Sequence, residues 1–275
     1  MGPRLPQATG YPAQSGRQGM KAFIIGVLLS ACIMSGCAKD YSLAPPANSG
    51  SLTVTLKVPP DLIPKNFEVM YRSGVCKRLT RGGTGQRIEL EGYLGVTLPL
   101  MRQGLSDLYK VTLPKDGGGR CKWHLANITF GVAYPESNSF GEGALHGVGG
   151  GVVVKFDNNR ASRDGPTEEV SGDLVIQKDY YPWTFESFVG GYRKSVSILG
   201  EGSIYLIYKA PRAAAIYFEP MLHSSYVVHS VGPKVQKLGD YPDVLYPDGS
   251  FDPDRPWQPS FSKLQAIRLK AEGKQ

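Results

Sequence analysis

Ser51-Leu-Thr-Val-Thr-Leu-Lys-Val58 alternates strictly: Leu52, Val54, Leu56 and Val58 are apolar, and the residues between them are polar. Successive side chains of a strand point to opposite faces, so this run predicts a β-strand with one dry and one wet face. Pro59-Pro60 ends it. The same signal recurs outward from here. Asn66 to Ser73 alternates Phe67, Val69 and Tyr71, and resumes past Gly74 over Val75 to Leu79. Gly82-Gly-Thr-Gly85 predicts a hairpin tip, with Gln86 to Leu90 returning. Leu108 to Leu113 is another strand, and Asp116 to Gly119 turns into Arg120 to Tyr134. There Cys121, Trp123 and Leu125 are followed by Ile128, Phe130 and Val132, and the change of phase at Ala126-Asn127 predicts a bulge. Further strands are expected at Gly151 to Phe156, Asp173 to Ile176, Ser203 to Lys209 and Ala213 to Phe218.

These strands, split by Gly, Pro and Asp turns, predict an all-β, antiparallel sandwich-like fold. The chain of 275 residues has 34 glycines and 21 prolines, one residue in five. That excludes a coiled coil, and the absence of a glycine at every third position excludes collagen. Its 10% aromatic and 20% charged content excludes chain-wide disorder. A soft boundary falls at Gly141 to Gly151. It divides an N-terminal lobe, residues 51–140, from residues 141–231, which read either as a second lobe or as a continuation of the same sandwich. Residues 232–275 read as an irregular C-terminal segment, with one short helix over Ser262 to Glu272 through Leu264, Ile267 and Leu269.

From Met20 the chain reads MKAFIIGVLLSACIMSGC, in which Lys21 precedes an apolar stretch of about a dozen residues. A bilayer needs about 20, so this is a signal-peptide core rather than a span. Met34-Ser-Gly-Cys37 resembles the lipobox of bacterial lipoproteins, with Met34 where leucine is usual. The resemblance implies acylation of Cys37 and cleavage before it. Ala38 in place of Asp implies the outer membrane. Residues 1–36 are then an upstream extension and a signal peptide, and residues 37–50 a flexible tether. Removing Arg4, Arg17 and Lys21 brings the formal charge from +7 to +4. No basic run remains to track a phosphate backbone, so nucleic acid is not an expected partner. In an oxidising compartment the remaining pair, Cys76 and Cys121, is expected to form a disulfide rather than a catalytic thiol with His124.

No complete catalytic or metal constellation is legible. Gly141 to Gly150 completes neither GxGxxG nor GxxxxGK[ST], and no G-x-S-x-G or H-E-x-x-H occurs. His223 and His229, six apart on one strand, would stand about 20 Å from each other, too far for one metal. Asp248, Asp252 and Asp254 depart from the order of a calcium loop and read as Asx turns. The expectation is therefore a non-enzyme without cofactor or metal. Two stretches look suited to recognition. Asp179 to Phe188 holds five aromatics in ten residues, from which Tyr180, Tyr181, Trp183 and Phe185 are candidate partner-binding residues. Their alternative is burial on both faces of a strand. Val231 to Gln258 is Pro- and Asp-rich, and adds Tyr241, Asp243, Tyr246, Asp248, Asp252, Asp254 and Trp257 as candidates for a binding or wrapping segment, with disorder as the alternative.

Tyr71-Arg-Ser-Gly-Val-Cys76 and Gly117-Gly-Gly-Arg-Cys121-Lys-Trp-x-Leu-x-Asn127-Ile-Thr-Phe-Gly131-Val, together with the lipobox, resemble the immunity lipoproteins encoded beside type VI secretion lipase effectors. The resemblance covers residues 52–134. It implies a periplasm-facing protein that binds a toxic phospholipase and neutralises it, attached to the membrane through its acyl chains only. The alternative is a structural or assembly lipoprotein of an envelope secretion or pilus machine.

Overall fold

The computed structural model describes residues 40–136, 139–159, 165–202, 204–235, 237–252 and 256–274. The leader, Cys37 and Asp254 lie outside the described residues. In chain order the strands are β1 (Ser51–Lys57), β2 (Ile63–Pro64), β3 (Phe67–Arg81), β4 (Arg87–Leu98), β5 (Met101–Arg102), β6 (Leu108–Pro114), β7 (Asp116–Gly118), β8 (Trp123–Ala133) and β9 (Leu145–Gly149). There follow β10 (Gly151–Lys155), β11 (Thr167–Glu169), β12 (Leu174–Ser187), β13 (Arg193–Leu199), β14 (Tyr205–Lys209), β15 (Ala215–Leu222), β16 (Val228–Val231), β17 (Asp243–Leu245) and a helix, α1 (Phe261–Ala271).

The fold is all-β and sandwich-like. One sheet runs β17-β16-β12-β15-β1-β6-β5, with β13 attached at β12 and β9 on β13. The other runs β11-β14-β10-β8-β3-β4, with β2 and β7 on β8. Strands from both sides of the Gly141 to Gly151 stretch are interleaved in each sheet. Direction is mixed. Pairs such as β3–β4, β1–β6 and β12–β13 are antiparallel, whereas β1–β15, β12–β15, β12–β16, β10–β14, β11–β14 and β13–β9 are parallel. A parallel pair needs a long crossover, which alternation along one strand does not reveal.

The dry face read from the sequence lies at the centre of the molecule. Leu52, Val54 and Leu56 of β1 are fully buried, each stabilising the fold by about 1.5–3 kcal/mol relative to exposure. Phe130 of β8 stacks on Phe67 of β3 at 5.8 Å and meets Phe218 of β15 edge-on at 5.9 Å, which joins the two sheets. The bulge is where the phase change puts it: Met70 pairs with Asn127 and Tyr71 with Leu125, so Ala126 is the extra residue. Cys76 and Cys121 are joined as expected.

The tether expectation is corrected for its described part. The Trp123 indole N–H donates to the carbonyl of Tyr41 at 3.0 Å, and Ala44 bridges to Gly118. Leu43 packs on the core. Gly118, at φ 54°, admits the Ala44 carbonyl where any Cβ would lie 2.2 Å from its oxygen. A buried indole needs an acceptor, and this segment supplies it.

A second, smaller core lies under the C-terminal segment. Tyr181, Trp183, Leu199, Val228, Val244, Tyr246 and Leu264 form it. The described residues beyond β16 thus form a wrap over β12. The wrap is fastened by Tyr246, whose hydroxyl donates to Asp252 at 2.8 Å and accepts from the Ser260 amide at 2.8 Å. Ser260 caps α1 by accepting from the Lys263 amide, and Arg268 and Lys270 sit in the last turn, where cations oppose the helix dipole.

Candidate interaction surface

The β3–β4 hairpin is continuous from Phe67↔Leu98 to Ser73↔Gly92 and resumes at Arg78↔Leu90. Residues 74–77 therefore stand against Glu91 alone, and a bulge of this size re-aims what lies beyond it. Its root is held three ways. The Ser73 hydroxyl accepts from the amides of Val75 and Cys76 and donates to the Cys121 carbonyl. The disulfide ties Cys76 to Cys121, in the turn that leads into β8. Gly92 lets the Cys76 carbonyl close in where any Cβ would lie 1.8 Å from its oxygen. Beyond the root, no residue from Arg78 to Leu90 is buried among the described residues. Val75 is 58% and Leu79 66% exposed, and Leu90 and Tyr93 are exposed beside them. The Arg78 guanidinium lies 5.2 Å above the Tyr93 ring.

The charges on this arm are uneven. Lys77 pairs with Glu89 at 3.1 Å, and Glu91 accepts from the Asn159 side-chain amide at 3.0 Å. Arg81 and Arg87 are directly opposite each other across the hairpin. Neither has a carboxylate partner among the described residues. Like charges so placed destabilise a strand pair, and a local rule broken without compensation marks a place where sequence serves something other than folding. β4 is also the last strand of its sheet. It offers 12 residues of edge, longer than folded proteins ordinarily leave open.

No family model, curated protein or solved structure matches this chain.

The aromatic candidates of β12 are corrected. Tyr180 is buried in the main core, and Tyr181 and Trp183 in the smaller one. Both faces of β12 are covered, so these rings pack inward and cannot meet a partner. Tyr246 is buried in the smaller core from the wrap side, and Phe185 packs half-buried against the same core. Pro182 falls between the β12–β15 pairing, which ends at Tyr180, and the β12–β16 pairing, which begins at Trp183. The described acidic candidates, Asp243, Asp248 and Asp252, belong to the wrap. Asp248 accepts from the Ser250 amide and hydroxyl at 3.0 and 2.7 Å, which hold its carboxyl below the usual carboxylate range. Asp252 takes the Tyr246 hydroxyl, and Asp243 opens β17. Tyr241 and Trp257 are exposed and meet edge-on at 5.7 Å, so of the aromatic candidates these two remain a surface pair. His223 and His229 are not on one strand: His223 follows β15 and His229 lies in β16.

Two further polar places lie away from the arm. Asp179 accepts from His223 Nε2 at 2.6 Å, from Gln265 at 2.9 Å and from Arg268 at 3.4 Å. Arg268 also donates to the Tyr181 hydroxyl at 2.8 Å and to Glu272 at 3.1 Å. Burial works against the Asp179 charge, yet His223, Gln265 and Arg268 together hold its carboxyl below the usual range. These groups fasten α1 to β12. A cleft of about 460 Å³ is lined by Lys65, Glu68, Tyr134, Glu136, His146 and Tyr205 among others. Lys65 spends its ammonium on the Gly149 carbonyl at 2.7 Å.

The hairpin itself was expected from Gly82 to Gly85, and β3 and β4 pair around that tip; what sequence reasoning missed is its exposure as a surface. Its signal was present in the pair Arg81 and Arg87 flanking a Gly82 to Gly85 tip, which places like charges opposite each other.

Proposed function

We propose that this chain is a periplasm-facing lipoprotein, acylated on Cys37 and held at the outer membrane, that binds a secreted antibacterial lipase and neutralises it. The observation that carries the binding role is the β3–β4 arm: fixed at its root by a disulfide and by the Ser73 hydroxyl, and bearing exposed leucine, valine, tyrosine and arginine side chains beyond it. An element fixed at its root has less freedom to lose on association, which leaves more of its exposed apolar and arginine contact for affinity. Arginine and tyrosine are also the side chains most often found as interface anchors. The lipobox and the resemblance of residues 52–134 supply the compartment and the kind of partner. The reading requires no cofactor and no catalytic residue, with Tyr241 and Trp257 as a second exposed contact.

The test is binding and inhibition of the lipase encoded by the adjacent gene. A stoichiometric complex at about micromolar concentration or tighter, with loss of lipid hydrolysis, is expected. Cys37→Ala is expected to leave binding intact in solution and to abolish protection of cells. No complex at micromolar concentration would overturn the reading. The open edge of β4 equally suits a subunit of an envelope assembly. That reading predicts co-purification with a membrane assembly and no effect on lipase turnover.

A further inference from the structure

We infer that the partner docks by adding an extended, acidic segment to the outer edge of β4, with its carboxylates set against Arg81 and Arg87. This rests on the binding role proposed above and states how the contact is made. Three observations lead to it. β4 pairs only with β3 among the described strands, so its other side presents backbone donors and acceptors along 12 residues. The chemistry that satisfies such a row is another strand, and strand addition is a recurrent mode of peptide recognition. β4 carries few of the devices that usually guard an edge: its charges, Arg87, Glu89 and Glu91, stand only in its tip half, and Gly92 to Leu98 has none. No lysine or proline stands within Arg87–Leu98, and the irregularity of the hairpin falls in β3, leaving β4 itself continuous. Finally, Arg81 and Arg87 face the same side at the tip with no carboxylate partner among the described residues, while Glu89 and Glu91 are engaged by Lys77 and Asn159. The charge left to be met at the tip is positive, which selects an acidic strand over a neutral one.

The register of the hairpin shifts at residues 74–77, and the tip arginines lie beyond that shift. A segment lying along Gly92 to Leu98 therefore has to continue toward the tip to reach them. Main-chain hydrogen bonds give affinity in such a mode, and the arginines give direction and register.

The experiment is residue-resolved amide exchange on the full chain, alone and with the lipase encoded by the adjacent gene, beside an Arg81→Glu/Arg87→Glu variant. Alternate amides of β4 between Ile88 and Thr97 are expected to exchange about tenfold more slowly or better in the complex. Association of the double variant is expected to be about tenfold slower at low ionic strength, with the difference shrinking as salt rises. The arm is exposed, so the variant keeps its melting temperature. A complex that leaves the β4 amides unchanged overturns strand addition while the lipase-binding reading stands. If no complex forms, both fall. A concentration-dependent dimer of the chain alone, with the same amides protected, assigns the edge to a second copy and also overturns the proposal.

Discussion

Cys76→Ala combined with Cys121→Ala removes the bond that roots the arm, and its effect can be worked from the structure. The two residues are 45 apart in sequence. Closing a loop of that length removes chain entropy from the unfolded state equivalent to about 4 kcal/mol at 25 °C. For a folded unit of this size, about 2–4 °C of melting temperature is lost per kcal/mol. The double variant should therefore melt about 8–16 °C lower, and its urea midpoint should fall. A second signature is local. With the covalent tie gone, the root keeps only the Ser73 hydrogen bonds and the fit of Gly92. Amides from Arg78 to Leu90 should then exchange faster than global unfolding allows. Urea unfolding followed by Trp fluorescence, beside amide exchange of the arm, checks both. A stability loss under about 1 kcal/mol, or an arm whose exchange follows global unfolding, would refute the assignment of the bond as the arm's root.

Three other perturbations follow from particular contacts. Replacing Arg87 by Glu sets a carboxylate opposite Arg81 and should raise stability by up to about 1 kcal/mol in urea unfolding; a decrease would show that the pair is not in opposition. Leu264→Ala empties the fully buried position of α1 and should cost about 2–5 kcal/mol, with a red shift of Trp183 emission as the wrap loosens. Asp179 has its folded-state carboxyl held below the ordinary value of 3.8. Its stabilising contribution is therefore fully present above that pH and is lost as pH falls through the lower folded-state value. Asp179→Asn should flatten the acid limb of stability against pH below 3.8, and an unchanged slope in thermal melts would contradict the latch.

What was legible in the sequence is what local periodicity encodes. Residues 51–58 and 66–73 each have one dry face, and their alternation survives in β1 and in the first half of β3. The Ala126 bulge was legible because an inserted residue shifts the phase of everything after it. β12 was misread for the converse reason. It is covered by the main core on one face and by the wrap on the other, so Tyr180, Tyr181 and Trp183 show no alternation, and a doubly buried strand looks like an aromatic surface patch. β9, β13, β16 and β17 have little pattern of their own; they exist because a neighbouring strand supplies the hydrogen bonds. The tether reading of residues 41–50 failed because polar and proline-rich composition does not show that a buried indole elsewhere needs an acceptor. Of the site, the disulfide was anticipated. So was the hairpin with its Gly82 to Gly85 tip, but not its exposure, because what is uncovered beyond residue 77 depends on the rest of the fold.

The place of β1 has a consequence for how the chain reaches this state. The first long strand is an interior strand, flanked by β6 and by β15, which begins at Ala215. Its ladder on one side cannot close until more than two thirds of the chain has been made, and closing so distant a pair is entropically slow. Until then Leu52, Val54 and Leu56 have only half a sheet to cover them. Folding of this protein should accordingly be a late, whole-chain event, in which strand β15 arrives as the keystone and not as an extension of something already built.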